Sequence, residues 1–418
     1  MPGRLVNILQ NILICLLAVS GLFLTVLTQL DPQTIDDFFH LLPTGQAITG
    51  TVSRDPESPT APETMVRVAV SGKYGRYGEI HLTSTGSRFV PIRSLLQEAL
   101  DSAGAPTPCT EQELRTALSL SSIYCDWPEP MPMPVIAQIL EAASPDADLP
   151  VSRIAAAVEG NAVSLFFTDD VSFFRCTTDL SPQTLLDTID SLQMESAVFA
   201  YELNTTNIAP YTLLPTGELF VYPVLDSVSG MPQSDFLLSA LGFNPNTNSR
   251  YTESNGTEVI RDGERVLRLE ADSSLVYDNG GISKSELAIS FAGESPTAWE
   301  AALGCFGMFS NLTEDSSARL YLRSIVPAGT GWRVTFDYQV NSIPVRLSSG
   351  EPAVQAEVDS TGITKFTMHL RRYTLEGSGS SLLPLRQALA IAANSAGEEL
   401  TICYVDNGST ASTTWLKD

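Results

Sequence analysis

The sequence predicts an α+β protein: an N-terminal transmembrane helix, then two or three mixed domains of antiparallel sheets with packed helices. Three observations predict it. An uncharged apolar run fills Leu5 to Leu30. Beyond it, short alternating runs are separated by turn dipeptides such as Asn255-Gly256 and Asp262-Gly263, which mark hairpins. Between those runs stand segments with apolar residues at helical spacing, without the regular strand–helix–strand alternation of a parallel design.

The anchor comes first. Leu5 to Leu30 reads LVNILQNILICLLAVSGLFLTVLTQL, with Arg4 before it and Asp31, Asp36 and Asp37 after it. A spanning helix needs about 20 mainly apolar residues to cross a hydrocarbon core of about 30 Å. The base before the run and the acids after it place the N-terminus in the cytoplasm and the rest outside the cell membrane, as a single-pass protein. The alternative is a cleaved signal peptide. The run is longer than the usual apolar region of about 7–15 residues, and cleavage after Ala18-Val19-Ser20 would leave the apolar Gly21 to Leu30 at the new terminus. Within the span, Ser20, Gly21, Thr25 and Thr28 form the candidate packing face for a partner helix. Gly21 lets another backbone approach, and hydroxyls bond between helices in lipid at about 0.6–2 kcal/mol each. Asn7, Gln10 and Asn11 fit the cytoplasmic headgroup level as well as they fit a contact face.

Residues 31–64 read as a flexible connector, because Thr51 to Glu63 (TVSRDPESPTAPE) has no apolar periodicity. Residues 65–230 read as an N-terminal external region with room for two subdomains. It opens on a hairpin (Met65–Val70 with Glu79–Leu82) and continues with helices over Phe89–Ala103, Glu111–Ser122 and Val135–Ala143. Trp127–Pro134, with four prolines, is extended. Strands follow over Val163–Thr168 and Ser172–Cys176, around an Asp169-Asp170 turn. Ser181 caps a helix to Leu192 with Pro182 at its first position, and Ser196–Tyr201 and Glu218–Val224 are strands. Residues 231–418 read as a C-terminal external region. A short helix over Ser234–Leu241 stops at Gly242. Short strands then run over Arg250–Glu253, Thr257–Arg261, Val266–Glu270 and Leu275–Tyr277, and Ala298–Phe309 is a helix. Further strands cover Arg319–Ile325, Trp332–Val340, Ile343–Leu347, Ala353–Val358 and Thr364–Tyr373. Leu383–Asn394 is a helix and Leu400–Val405 a last strand.

Of the 418 residues, 48 are acids and 24 are bases, and every acid and every base but Arg4 lies beyond residue 30. Such a charge opposes nucleic-acid phosphates and anionic lipid, so no nucleic-acid partner is expected. It suits solubility first, then protein partners, cations or basic ligands. Cys109, Cys125, Cys176, Cys305 and Cys403 contain no C-x-x-C pair, and only Cys109 and Cys125 are close enough in sequence to suggest a bridge. Asn204, Asn255, Asn311 and Asn407 begin N-x-[ST] sequons, which matter only in a eukaryotic secretory pathway.

The chain offers no H-E-x-x-H, G-x-S-x-G, Walker loop or EF-hand loop, so no catalytic, cofactor-binding or metal set is expected. His81 and His369 sit in alternating strands and read as half-buried strand residues. The acid pairs Asp169-Asp170, Glu398-Glu399 and Glu111/Glu113 are the sort that 48 acids produce by chance, although paired carboxyls are what glycoside hydrolysis uses. Gly377-Ser378-Gly379-Ser380 reads as a flexible loop lacking the lysine of a phosphate site. Trp127, Trp299 and Trp332 could serve a wall polymer but fit core packing better.

Two segments carry a resemblance. Gly242 to Gly280 (GFNPNTNSRYTESNGTEVIRDGERVLRLEADSSLVYDNG) gives a Tyr/Thr strand, an N-G turn, a strand with a D-G turn, L-R-L and then L-V-Y. Trp332 to Asp418 gives F-D-Y, N-S-I-P-V, a strand pair ending R-R-Y, then LLPLRQALAIA, LTICYV and a terminal Trp415-Leu416. Together with the anchor, these resemble the extracytoplasmic part of the YycH/YycI family of Gram-positive bacteria, over about the C-terminal half. The resemblance implies a single-pass, N-in accessory regulator of a two-component system. Its partners would be a WalK-like sensor histidine kinase and a paralogous YycH/YycI-type protein, with helix contacts on Leu5 to Leu30. It implies no catalytic residues. An anchored cell-envelope binding module or a divergent wall hydrolase are the alternatives.

Overall fold

Alternation over Met65–Val70 becomes β1 (Met65–Gly72), which turns back through Gly75 into β2 (Gly75–Thr83). The computed structural model describes residues 61–418, apart from 144–148, 204–207, 218–220, 231–233, 245, 247, 282–286, 314–315, 393–397 and 418. The predicted anchor and its face Ser20, Gly21, Thr25 and Thr28, with the connector up to residue 60, lie outside the described residues.

After β2 come α1 (Val90–Asp101), β3 (Thr107–Pro108), α2 (Glu111–Leu118), β4 (Ser122–Pro132), α3 (Met133–Ile139), β5 (Pro150–Glu159), β6 (Ala162–Thr168), β7 (Phe173–Thr177), α4 (Pro182–Ser191), β8 (Glu195–Phe199) and β9 (Leu213–Pro215). The helices begin for local reasons. Thr110 and Glu113 form a reciprocal capping box on α2, and the Ser181 hydroxyl accepts from the Thr184 amide to open α4. The spacing of Ile92, Leu95, Leu96, Ala99 and Leu100 gives α1 one buried face. The nine strands form a sheet in the order β3-β7-β6-β5-β4-β1-β2-β8-β9.

The second part comprises β10 (Val221–Ser229), α5 (Ser234–Ala240), β11 (Ser249–Thr252), β12 (Glu258–Asp262), β13 (Arg265–Leu269), β14 (Ser274–Asp278), α6 (Ala298–Leu312), β15 (Arg319–Ala328), β16 (Gly331–Val340), β17 (Ile343–Leu347), β18 (Val354–Asp359), β19 (Gly362–His369), β20 (Arg371–Ser381), α7 (Leu385–Ala392), β21 (Leu400–Asp406) and β22 (Thr410–Lys417). These strands form one sheet in the order β11-β12-β13-β14-β19-β18-β16-β17-β21-β22-β10-β20, with β15 on the other side of β16. Leu370 alone separates β19 from β20. Pairing therefore runs from β16 through β17, β21, β22 and β10 to β20, and the chain itself leads from there back to β19, which pairs through β18 with β16. On this sheet Phe306 and Phe309 of α6 pack against Phe336 and Phe366.

One hydrophobic core runs through both sheets, from Val66, Trp127 and Ile154 to Phe309, Phe336 and Tyr404. β15 brings the sheets together. The Leu322 amide donates to the Glu63 carbonyl at 2.7 Å, the Thr64 hydroxyl donates to the Leu322 carbonyl at 2.8 Å, and Gln339 donates to the Glu63 carboxylate at 2.7 Å.

The α+β expectation is corrected by this architecture. Twenty-two strands against seven helices stand among the described residues, gathered into two large sheets around one core rather than two or three mixed domains. Pairing is not wholly antiparallel, because β17 and β21 run parallel. No helix among the described residues is long and apolar enough to cross a membrane. Local patterns find elements, but which strand meets which is decided by packing between residues far apart in sequence. Three smaller expectations also change. Leu400–Val405 is followed by a further strand, β22. The Gly377–Ser380 loop is part of β20, where a Cβ on Gly379 would stand 2.8 Å from Val221. The alanine-rich run Pro150–Glu159 forms a strand, β5, despite its helical composition.

Candidate functional site: an arginine–carboxylate cluster where the sheets meet

Register builds a densely charged site in the described part. Arg67 of β1 stands directly opposite Asp126 of β4, and Asp126 stands opposite Arg153 of β5. Cross-strand partners share a face, so the three side chains form a row across adjacent strands. Glu399 enters this row from the other sheet, one residue before β21. Its two carboxylate oxygens are each gripped at 2.5 Å, one by Arg67 and one by Arg153. Asp126 lies 2.8 Å from Arg67 and 3.2 Å from Arg153, and Asp170 also pairs with Arg153. The Arg153 guanidinium stands 5.4 Å from the centre of the Tyr211 ring.

Burial sets the electrostatics. The Asp126 side chain is wholly enclosed and that of Arg153 is 4% exposed, whereas Glu399 keeps 18%. Loss of water pushes Asp126 up to about 6, against the pull of Arg67 and Arg153, and the nearby Glu399 charge adds to the rise. Burial also acts to raise Glu399, but the two guanidiniums outweigh it and hold the group below the usual carboxylate range. Burial holds the Tyr124 phenol, two residues from Asp126 on the same strand, well above its ordinary value. The cluster thus has one carboxylate kept firmly ionised and one poised to take a proton near neutrality. Chemically it can hold the sheets together and exchange a proton.

Two further acids are enclosed in the second sheet. Asp337 accepts from Arg346 at 2.6 Å, Arg323 at 3.1 Å and the Ala353 amide at 3.0 Å, while Arg323 reaches back to Glu129 of β4 at 2.6 Å. Asp406 accepts from Tyr373 and Ser227, each at 2.8 Å, and from the Gly408 amide.

The residues singled out in the sequence disperse. His81 is half-buried, with Nε2 3.2 Å from the Ile402 carbonyl, and burial lowers its pKa to about 4. His369 pairs with Glu351 at 3.1 Å, but that carboxylate is 61% exposed. Trp127 is 1% exposed, Trp299 packs on the core, and Trp332 donates to the Pro296 carbonyl at 2.9 Å. Asp169 caps its turn by accepting from the Val171 and Ser172 amides. Glu113 caps α2 and Glu111 pairs with Arg115. Cys109 and Cys125 are both free thiols. Of the three acid pairs, Glu398-Glu399 and Asp169-Asp170 reach the cluster, each through its second member. Arg67, Asp126 and Arg153 were missed. Their signal was a charge set inside an apolar strand run, as in MVRVAV, YCDW and VSRIAAAV.

No protein-family profile and no curated protein matches this chain. Among solved structures, the crystal structure of an uncharacterized protein from Eubacterium rectale aligns over 46% of this chain and 74% of its own, at 14% identity and a TM-score of 0.29. A likeness that low carries no argument about fold or function.

Proposed function

We propose that the protein is a membrane-anchored, non-enzymatic accessory regulator of a two-component sensor histidine kinase, of the YycH/YycI kind. Its N-terminus lies in the cytoplasm and its sheet-rich part outside the cell. The observation that carries this reading is the uncharged span Leu5 to Leu30, with Arg4 before it and an acidic chain after it. The partner is a WalK-like kinase, alone or with a paralogous protein of the same kind, met through Ser20, Gly21, Thr25 and Thr28 in lipid and through the external surface. Regulation requires that the complex differ in free energy between kinase states, since only differential affinity shifts such an equilibrium.

The charged groups of the two buried clusters are paired with one another: Arg67 and Arg153 with Glu399 and Asp126, Arg323 and Arg346 with Asp337. The wall-hydrolase and envelope-binding alternatives draw less support. His81 faces a backbone carbonyl and His369 an exposed carboxylate, and Trp127 is enclosed.

The test is a crosslinked pull-down of the full-length protein from its native membrane, beside a version whose Leu5–Leu30 is replaced by an unrelated spanning helix. Recovery of a sensor histidine kinase with the native helix, lost on replacement, is the expected result. Recovery with both moves the contact to the external part. Recovery of no kinase with either, at good expression, overturns the reading.

A further inference from the structure

We propose that the junction between the two sheets is an acid-released joint, in which His81 of the first sheet takes up a proton as residues 398–402 of the second sheet part from it. This inference does not depend on the identity of any partner.

The geometry is specific. His81 projects from β2, places Nε2 3.2 Å from the Ile402 carbonyl in β21, and meets the Tyr222 ring of β10 edge-on at 6.2 Å. One side chain of the first sheet thus contacts two strands of the second. Beside it, residues 398–402 make their other ties to the first sheet. Glu398 bridges Ile208 and its carbonyl accepts from the Ala209 amide at 2.9 Å, and Glu399 is gripped by Arg67 and Arg153. Part of the apolar contact here is a small cluster separate from the main core, in which Ala200, Ile208 and Leu214 meet Ala388, Ala392 and Leu400, while Ile402 and Tyr222 belong to the main core. The polar ties at this end of the interface are therefore few and discrete.

The neutral ring suits the closed joint, because Nε2–H can donate to the carbonyl without any charge. Of the groups around it, the Ile402 carbonyl favours a proton on the ring, but burial outweighs it. Glu79, on the same strand, is taken by Arg88 at 2.7 Å. Glu195 of β8, with Glu79, lies near Tyr222, as does Tyr404 of β21, and both phenols are held in the neutral form by burial. Removal from water dominates the ring and brings it to about 4, whereas a solvated imidazole titrates near 6.5. Parting the joint returns the ring to water, so proton uptake favours the open form as pH falls from about 6.5 towards 4.

Asp126 acts in the opposite sense. The Glu399 charge helps to raise it, so withdrawal of Glu399 lowers it and releases its proton below about pH 6. Glu399 itself favours opening only where acid begins to protonate it in water. The histidine alone gives about a tenfold rise in opening at pH 5.5, and Asp126 trims this to about threefold at most.

The experiment is hydrogen exchange read by mass spectrometry on the full-length protein in detergent micelles, corrected for the intrinsic pH dependence of exchange. Peptides covering 208–214 and 398–404 are compared with those of β18 and β19 as an internal reference. The expected result is a threefold to tenfold relative loss of protection in the junction peptides between pH 7.5 and 5.5. That loss vanishes in His81→Gln, and also in His81→Phe should glutamine disturb folding, and it deepens in Asp126→Asn. No loss in the unsubstituted protein overturns the proposal, and so does an equal loss in either His81 variant.

Discussion

Arg153 shows how much one side chain carries. It faces three carboxylates, Asp126, Glu399 and Asp170, and is itself nearly enclosed. Arg153→Met keeps the apolar stem but leaves Asp126 with only Arg67. Removing one partner from a buried ion pair costs about 3–5 kcal/mol, because the remaining charge stays buried. A loss of that size is expected in urea unfolding, and a loss below about 1 kcal/mol would show that the row is solvated in the native protein. Asp126 also predicts a slope with pH. Its folded value of about 6 lies above the ordinary 3.8, so the fold favours the protonated form. That contribution is complete below pH 3.8 and disappears as pH rises to about 6. His81 has the reverse sign: its lowered value favours the neutral ring, which stabilises the fold above pH 6.5 and less as pH falls to about 4. Asp126→Asn should remove the first effect and leave the second, so that the variant loses stability more steeply on acidification than the parent, by about 1–3 kcal/mol across this range. Chemical denaturation at a series of pH values reads the difference, and parallel curves would count against it.

Among elements, what the sequence made legible was local. α4 begins at Pro182 behind Ser181 as capping chemistry requires, and α6 runs from Ala298 behind the Thr297–Glu300 box. β5 was not legible. Ala155, Ala156 and Ala157 favour helix in isolation, but here they are enclosed between β4 and β6, where small side chains let the sheet pack on both faces. The charged row was hidden for a related reason. Arg67, Asp126 and Arg153 lie about 30 to 60 residues apart and meet only through strand register, and Glu399 arrives from the far end of the chain. Glycines give the sharpest contrast at this scale. A Cβ on Gly331 of β16 would lie 1.9 Å from the Val358 carbonyl oxygen, which is backbone and cannot turn aside. Gly331→Ala is expected to cost about 1–3 kcal/mol. Gly307 lies inside α6 with nothing near its would-be Cβ, so Gly307→Ala should gain about 0.5–1 kcal/mol by reducing the freedom of the unfolded chain. Thermal melts of the pair should move in opposite directions.

The whole molecule raises the question of whether two sheets make two folding units. Multidomain chains of this size commonly unfold through intermediates. The described residues fall within one compact unit by contact, and the core is continuous from β1 and β4 into β15, β16 and β21. Polar ties reinforce it at separated places: Glu63 with Leu322 and Gln339, Glu129 with Arg323, Arg67 and Arg153 with Glu399. A sheet that lost its partner would expose apolar surface from the shared core and strand buried charges such as Glu399, so neither half has a low-energy way to survive alone. A fragment of residues 50–418 is therefore expected to unfold in one transition. The tryptophans supply the probes, because Trp127 lies in the first sheet and Trp332 and Trp415 in the second. Variants retaining only Trp127 or only Trp332, with phenylalanine elsewhere, should report the same urea midpoint. Arg153→Met, although it sits in the first sheet, should shift both by the same amount. Midpoints that separate, or a shift confined to the Trp127 signal, would show that the sheets are independent units joined at a weak interface.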